Sequence, residues 1–165
     1  MPEFILDHGT QETAKAFRAL DSFTQGYIEA MFFTDEEQLC EESGREMPAV
    51  IVNMATMETR FVGGDSPGFG DLAPETLSRI IADCERFQTA NAALLEQACS
   101  IKGDHTYDET RAGHDFWYTR NGHGCGFWDR GLGEAGDKLT AACGHGTDFR
   151  GLYSYVGDDG LIYLS

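Results

Sequence analysis

The amino-acid sequence predicts an α+β fold in which N-terminal helices pack on a small C-terminal antiparallel sheet. Apolar residues recur at helical spacing through most of residues 10–100. Short alternating apolar runs joined by turn residues follow in residues 111–165. Because the helical patterns come first and the strand patterns last, they favour an α+β fold over a wound parallel sheet. The length of 165 residues suits a single domain over 1–165.

The first predicted helix covers residues 10–34. Thr10 is a suitable N-cap, and Glu12 lies in the first turn, where the helix dipole favours an acid. One apolar stripe recurs at spacings of three and four: Phe17, Leu20, Thr24, Tyr27 and Met31. The acidic residues 35–37 are predicted to start a separate turn or short helix that ends near Gly44.

Residues 48–62 allow two interpretations. The β-branched residues 50–52 favour a strand, whereas the methionines and alanine of residues 54–57 also fit a helix. Residues 63–71 are rich in glycine, which is typical of a loop.

The most regular helical pattern covers residues 74–100. Pro74 suits a first helical turn. Its apolar face contains Leu77, Ile80, Ile81, Cys84, Phe87, Asn91, Leu94, Leu95 and Ala98. Residues 102–111 are predicted to be a polar connector.

Two hairpins are predicted in the C-terminal third. The segment GHDFWYTRNGHGCGFWDRG alternates on both sides of an Asn-Gly pair, which predicts a hairpin near residues 113–130. We expect the apolar face of the helix 74–100 to pack against this hairpin around Trp117 and Trp128, so that Trp128→Ala would cost about 3–5 kcal/mol.

Between the two hairpins, residues 134–143 predict a short helix that is closed by Gly144. The second hairpin is predicted over residues 152–164, with its turn at residues 158–160. These elements complete a hairpin-rich part over residues 111–165, after a helical and acidic part over residues 1–110.

Net charge is the most unusual property of the sequence. The chain has 12 basic and 28 acidic residues, a formal charge of −16. Residues 1–110 contain 21 acids and 7 bases, and residues 111–165 contain 7 and 5, so the excess is −14 in the first part and −2 in the second. This charge disfavours direct contact with nucleic acid or anionic membranes and favours a basic partner surface. A surface that is acidic merely for solubility is the alternative.

The sequence also bears on location. No stretch approaches the roughly 20 apolar residues of a membrane span. The start of the chain lacks the basic and apolar regions of a signal peptide. The five irregularly spaced cysteines argue against a disulfide scaffold. We therefore expect a cytoplasmic protein without a membrane partner.

The segment 113–131 contains groups that could support catalysis. His114, Asp115, His123 and Asp129 could supply a general base and an orienting carboxylate. Arg120 and Arg130 could bind an anion. The structural alternative is that the acids pair with the arginines and with backbone N–H groups. No phosphate loop or nucleophile elbow is present in the sequence.

Metal binding and base stacking are two further possibilities for this region. His123 with Cys125 and Cys143 with His145 are candidate metal ligands, but their spacing is not typical of zinc sites, and we expect no metal or other cofactor. The aromatic residues at 116–118 and 127–128 could stack bases, but single-strand binders combine such rings with a basic groove. We expect most of these rings to form core.

The sequence resembles a family of small acidic proteins that bacteriophages, prophages and plasmids encode widely. Four blocks carry the resemblance: YIEAMFFTDE at 27–36, DLAPETLSRIIADCERFQTANA at 71–92, AGHDFWYTRNGHGCGFWDRGLGEAGDKLT at 112–140 and YVGDDGLIYL at 155–164. They and their spacers cover about three quarters of the chain. Residues 40–70 match less well and resemble an insertion, and the family commonly carries a small residue where Cys125 stands. The resemblance assigns no catalytic residue.

Together these observations predict a mobile-element accessory protein that binds and inhibits a host defence component, of the restriction or CRISPR type, as an acidic mimic of nucleic acid. The partner would be a host protein with a basic, nucleic-acid-binding surface. The candidate contact residues are Glu29, Asp35, Glu36, Glu37, Glu41, Glu42, Arg120 and Arg130. A small enzyme with its site at residues 113–130, and an accessory protein of phage replication or packaging, are the two alternatives.

Overall fold

The computed structural model describes residues 6–101 and 106–165. These residues form six α-helices and two antiparallel two-stranded sheets: α1 (Gln11–Arg18), α2 (Ser22–Ser43), β1 (Ala49–Asn53), β2 (Glu58–Val62), α3 (Pro74–Ala90), α4 (Ala92–Cys99), α5 (Glu109–Arg120), α6 (Gly133–Ala141), β3 (Ser154–Val156) and β4 (Ile162–Leu164). Single 3₁₀ turns occur at Phe69–Asp71 and Phe127–Asp129. The predicted α+β class is confirmed. None of the described helices is long and apolar enough to cross a membrane.

Helices α2 and α5 form the centre of the fold. They approach closely because each carries a glycine at the crossing. A Cβ atom on Gly26 would overlap the carbonyl of Thr110, and a Cβ atom on Gly113 would overlap the carbonyl of Phe23. The two backbones are therefore in contact, with no side chain between them.

Aromatic rings from several elements fill the space beside this crossing. Phe87 of α3 stacks on Phe116 of α5, with ring centroids 4.0 Å apart. Phe127 lies 5.8 Å from Phe87 on the same stack, and Phe149 meets Phe87 edge-on at 5.2 Å. All four rings are buried, so α3, α5 and the C-terminal third share one core.

The predicted hairpin at residues 113–130 is wrong, because this region contains helix α5. Asp108 caps the helix by accepting a hydrogen bond from the Arg111 N–H at 2.9 Å. The Asn-Gly pair ends the helix instead of turning a hairpin. Gly122 has φ +69°, and the N–H of His123 donates to the carbonyl of Tyr118 at 3.0 Å, as in a Schellman motif.

Of the two tryptophans predicted to pack against the helix 74–100, one is buried and the other is exposed. Trp117 is 1 % exposed, whereas Trp128 is 54 % exposed. Trp128 therefore contributes little to the core, which removes the basis of the large cost predicted for its replacement by alanine. Within residues 113–130, the rings that contact Phe87 of α3 are those of Phe116 and Phe127.

The first predicted helix is two helices that separate before Asp21. The Asp21 carboxylate accepts from the N–H of Thr24 at 2.7 Å and from its hydroxyl at 3.1 Å, and so caps α2. Helix α2 does not stop at the acidic residues 35–37 but continues to Ser43. Gly44, with φ +68°, ends it near the predicted position.

The long predicted helix 74–100 begins at Pro74 as expected, but it is interrupted at Asn91. The backbone there leaves the helical region, with φ −121° and ψ 21°. The Asn91 side-chain amide donates to the carbonyl of Phe87 at 3.0 Å. The Phe87 carbonyl therefore accepts from both the side chain and the backbone N–H of Asn91, and the departure of the Asn91 backbone from helical angles separates α3 from α4.

The later part of the chain follows the prediction more closely. A short helix, α6, and a hairpin of β3 and β4 lie near the expected residues, but the C-cap of α6 is Ala142 rather than Gly144. The hairpin is tied to α3, because Arg79 donates to the carbonyl of Leu164 at 2.9 Å. Of the predicted connector 102–111, residues 102–105 lie outside the described residues.

The ambiguous region 48–62 forms the hairpin of β1 and β2, and the following loop 63–71 contains one short 3₁₀ turn. The strands turn through Met57, which has φ 58°. Every residue of both strands is exposed. This sheet lies between α2 and α3 in the chain, so the strands do not all belong to the C-terminal part.

Candidate functional site

Helix α5 carries three of the polar residues that the sequence singles out. An α-helix turns by about 100° per residue, so His114, Asp115 and Arg120 leave it in different directions. Each forms its main hydrogen bonds with different residues of the protein. Trp117, on the same helix, makes a fourth set of contacts.

Asp115 forms the most enclosed charge pair. Its side chain is 1 % exposed, and Arg130 donates to it from Nη2 at 2.8 Å and from Nε at 3.0 and 3.1 Å. The buried Tyr107 hydroxyl donates to the same carboxylate at 2.8 Å. The hydrogen bonds that Arg130 donates to Asp115 raise the pKa of the Arg130 guanidinium. Asp129, the other predicted acid, accepts from the N–H of Gly126 at 3.0 Å, so it shapes the turn after α5.

Arg120 is 3 % exposed and fully engaged inside the fold. Its Nη1 donates to Asp83 at 3.1 Å and to the Tyr27 hydroxyl at 3.0 Å. Its Nε and Nη2 donate to the carbonyl of Arg150 at 3.0 and 2.8 Å. Desolvation raises the pKa of the Tyr27 phenol, which stays neutral as a partner of this cation. Arg120 thus joins α2, α3 and α5 and has no surface to offer a partner.

His114 lies at the surface beside helix α2. Its Nε2 is 3.0 Å from the Glu29 carboxylate, and both side chains are about one third exposed. Tyr118 lies one turn further along α5. The centroid of its ring is 6.4 Å from that of the His114 ring and 5.9 Å from that of the His123 ring. These groups form a row on the surface, with the two histidines at its ends.

Trp117 begins a chain of hydrogen bonds that reaches the C-terminal hairpin. Its indole N–H donates to the Thr34 hydroxyl at 2.9 Å. Thr34 donates to Asp35 at 2.7 Å, and Asp35 accepts from the Ser154 hydroxyl at 2.5 Å. Asp35 is therefore a structural link between α2 and β3.

The predicted acidic contact residues on α2 divide into two groups. Glu42 is used within the fold: the Val156 N–H donates to it at 2.8 Å and Gln38 at 2.9 Å, and these bonds lower the pKa of its carboxyl. Glu37 and Glu41 are exposed one turn apart, with Glu36 half-buried beside them. These three make no ion pair with any described basic side chain.

The predicted metal pairs, His123 with Cys125 and Cys143 with His145, do not belong to a larger group of ligands among the described residues. Among residues 6–101 and 106–165, no three His, Cys, Asp or Glu side chains are grouped as metal ligands. Burial raises the pKa of the Cys143 thiol to about 12, and burial also raises the pKa of Cys125. Both thiols therefore favour the protonated form, which neither binds metal well nor attacks a substrate.

Two open grooves on the surface lie near the predicted catalytic segment. One, of about 620 Å³, is lined by residues 119–122, 144–145, 150–153 and 165. The other, of about 420 Å³, lies between α4, α5 and Phe23. None of the four candidate catalytic residues, His114, Asp115, His123 and Asp129, lines either groove. A substrate bound in one of these two grooves would therefore not contact them.

Several partners in these networks were missed by sequence reasoning. Asp83 and Tyr27 hold Arg120, and Tyr107 holds Asp115. Tyr27 lies on α2 and Asp83 on α3, and Tyr107 lies in the loop before α5. No spacing within the sequence indicates that these residues meet Arg120 or Asp115. Asp83 was the available signal for the Arg120 pair. It lies beside the apolar face of its helix, and a carboxylate that is buried there requires a cation as partner.

Comparison of the chain with protein-family models, with curated proteins and with solved structures gives no match to any of them.

Proposed function

We propose that this protein is an accessory protein of a phage or other mobile element that binds a basic, nucleic-acid-binding surface of a host defence protein and blocks it. The free acids of α2, namely Glu36, Glu37 and Glu41, form the contact surface, which we call the acidic ridge. The assignment to a mobile element rests on the family resemblance. The choice of contact surface rests on the positions of the unpaired acids on α2.

The ion pairs inside the protein support this assignment. Five of the described basic side chains bind carboxylates of the same chain: Arg45, Arg86, Arg120, Arg130 and Lys138. The acids that remain unpaired keep a surplus of negative charge on the surface. A charge of −16 exceeds what solubility requires, about 2 to 8 for a small domain.

The acidic ridge is the observation that carries the proposal. Glu37 and Glu41 are related as i and i+4 on one helix, and like charges at this spacing destabilise a helix by roughly 0.2–0.5 kcal/mol. No cation of the described chain offsets this repulsion. A basic surface on a partner would offset this repulsion. The two carboxylates would occupy the place that phosphate groups take on that surface when nucleic acid is bound.

The segment around α5 supports a binding role over the enzyme alternative. Asp115 and Arg120 are consumed by interactions that hold elements together. His114 and Glu29 are a surface pair that lines neither groove. An enzyme site aims a nucleophile and a base at one enclosed volume, and these residues do not assemble that arrangement.

The test is a charge reversal with a matched control. The ridge variant carries Glu36→Lys, Glu37→Lys and Glu41→Lys, and the control carries Glu85→Lys, Glu96→Lys and Asp137→Lys, which change the net charge equally at other exposed helix positions. Both are expressed in bacteria that restrict a test phage through a restriction or CRISPR system. We expect the parent chain and the control to restore plaque formation. The ridge variant should give a number of plaques at least tenfold lower than that of the parent.

Two outcomes contradict the proposal. Equal protection by the ridge variant and the parent would exclude the ridge as the contact surface. A parent that restores no plaques on any defended host, but alters phage yield on an undefended one, would favour the replication or packaging alternative. Binding to the identified partner should weaken as salt rises from 50 to about 300 mM, because screening acts over roughly 8–10 Å.

A further inference from the structure

The two faces of the hairpin of β3 and β4 differ in their exposure. Ser154, Ile162 and Leu164 are buried, so one face of the hairpin belongs to the core. Alternate residues of a strand lie on opposite faces, and therefore Tyr155 and its cross-strand partner Tyr163 lie on the outer face. Their rings are stacked, with centroids 5.7 Å apart and an angle of 25° between the planes. The outer face thus carries an aromatic pair.

Tyr153 extends this outer face by one ring. Its backbone exchanges hydrogen bonds of 2.9 and 3.3 Å with that of Ser165, which continues the ladder of the hairpin by one pair. Tyr153 stands two residues before Tyr155 and therefore lies on the same face. Tyr153 is 55 % exposed and Tyr155 is 37 % exposed, while Tyr163 is half-buried. We call Tyr153, Tyr155 and Tyr163 the tyrosine row.

An exposed carboxylate lies at each end of the tyrosine row. The Tyr163 hydroxyl donates to Asp159 at 2.7 Å, and this bond lowers the pKa of the Asp159 carboxyl. The Tyr153 hydroxyl donates to Glu42 at 3.4 Å. Neither Asp159 nor Glu42 forms an ion pair with a basic side chain of the described residues. Both carboxylates can therefore accept further hydrogen bonds from a cation outside the chain.

The rings of the tyrosine row have no cation of their own. The two arginines that lie over aromatic rings in residues 6–101 and 106–165, Arg86 and Arg120, lie over buried rings. Arg150 shares a groove with Tyr153 but does not lie over its ring. The face of a tyrosine ring attracts a cation, and the carboxylates at the ends of the row add to this attraction. The row is therefore complementary to a cation that another molecule supplies.

The tyrosine row adjoins the acidic ridge of α2. The side-chain amide of Gln38 donates to the Tyr153 hydroxyl at 2.6 Å and to the carbonyl of Ser154 at 3.1 Å. Gln38 follows Glu37 directly and stands three residues before Glu41, so it is a neighbour of Glu41 on the surface of the helix. The row and the ridge therefore meet at Gln38, and one partner surface can contact both.

We infer that the tyrosine row is a second part of the partner contact and that it receives arginine side chains of the partner's nucleic-acid-binding surface; this inference rests on the proposed function. A guanidinium is planar, so it can stack on a tyrosine ring while its N–H groups bind a carboxylate. The ammonium group of lysine has no such plane. Arginines of nucleic-acid-binding proteins stack on bases and bind phosphates. The rings of the row would take the place of the bases, and Glu42 and Asp159 that of the phosphates.

Nona-arginine and nona-lysine peptides carry equal charge and test which cation the row receives. Fluorescence anisotropy of the labelled peptides measures their affinities at about 150 mM salt, where surface charges are largely screened. We expect the parent chain to bind nona-arginine about fivefold more tightly than nona-lysine, since each exposed ring contributes modestly to binding a cation. The double variant Tyr153→Leu with Tyr155→Leu should bind the two peptides equally. The control Trp128→Leu removes a ring of similar exposure outside the row and should keep the preference for arginine.

Further variants separate the possible outcomes. Tyr153→Phe with Tyr155→Phe keeps both rings and should keep the preference for arginine, and thermal unfolding shows whether each variant is folded. The ridge variant should weaken both peptides alike.

Three results would overturn the inference. The parent binds the two peptides equally or binds neither, or the leucine variant is folded and keeps the preference, or the row binds oligothymidine more tightly than nona-arginine. Equal binding of both peptides that the ridge variant still weakens would leave the acidic ridge as the contact surface. A ridge variant that weakens neither peptide, with the preference for arginine intact, would count against the ridge alone and support the row.

Discussion

Arg130 closes over Asp115 with three N–H···O contacts of 2.8–3.1 Å, and this pair connects the middle of α5 to the turn that precedes α6. The carboxylate is 1 % exposed and the guanidinium 36 %, so the two partners differ in their access to water. Removal of one partner therefore has a different cost from removal of the other.

We expect Arg130→Met to destabilise the protein more than Asp115→Asn. The first change leaves a charge buried with only the Tyr107 hydroxyl as a described partner, a situation that costs about 3 kcal/mol or more. The second leaves a guanidinium that can turn to water, so its cost should be about 1–2 kcal/mol after allowance for screening. Urea unfolding measures both, and a larger loss for Asp115→Asn would contradict the burial asymmetry.

The two tryptophans should respond differently to replacement. Trp117→Ala removes a buried ring and leaves the Thr34 hydroxyl without its indole donor, and we expect a loss of about 3–5 kcal/mol. Trp128→Ala should cost less than about 1 kcal/mol, because 54 % of this residue is exposed. Acrylamide should quench the fluorescence of the Trp117→Phe variant, which retains Trp128, more strongly than that of Trp128→Phe. Equal quenching would place the two rings in similar environments.

The glycine crossing of α2 and α5 predicts that alanine is harmful at Gly113. Alanine favours a helix over glycine by about 1 kcal/mol, but its methyl group would overlap the Phe23 carbonyl. We expect a net loss of about 2 kcal/mol or more in thermal unfolding. Gly124→Ala is the control, because no atom lies within 4 Å of the added group. Equal stability of the two variants would mean that the helices can separate without cost.

Buried phenols predict a loss of stability in base. Burial raises the pKa of Tyr118 to about 12 and also raises the pKa values of Tyr27 and Tyr107, whereas an unfolded tyrosine has a pKa of about 10. The folded state thus holds these protons more tightly. The stabilisation is complete below pH 10 and declines as pH rises from 10 through 12. Absorbance at 295 nm should show at least three of the six tyrosines still protonated at pH 10.5 in the folded chain and none of this protection in urea. Ionisation of all six near pH 10 in folded protein would contradict the burial.

The sequence was most informative where a single local rule decides the structure. The start at Pro74, the stop at Gly44 and the turn at residues 158–160 were predicted because proline and glycine restrict the backbone directly. The interruptions at residues 19–21 and at Asn91 were missed, since at each of them one side chain bonds to a nearby backbone group.

The error at residues 113–130 has a physical explanation. Asn-Gly adopts positive φ both in hairpin turns and at helix ends, so the pair alone does not distinguish them. The burial of Ala112, Phe116 and Arg120, four residues apart, is a helical period that the alternating aromatics obscured. An arginine on a buried face counts as polar in a sequence pattern. Its acid and carbonyl partners come from α3 and the segment before β3, and those contacts exist only in the folded chain.

The contacts of α2 also govern when the protein can fold during synthesis. Asp35 bonds Ser154, 119 residues later, and the glycine crossing requires α5. When α2 leaves the ribosome, the chain that covers its apolar face has not yet been made. Helix α2 must therefore stay uncovered until α5 and β3 have been made, and the native core forms only then. The exposed acids of α2, Glu37 and Glu41, then oppose association of the uncovered helix with other chains of the same charge.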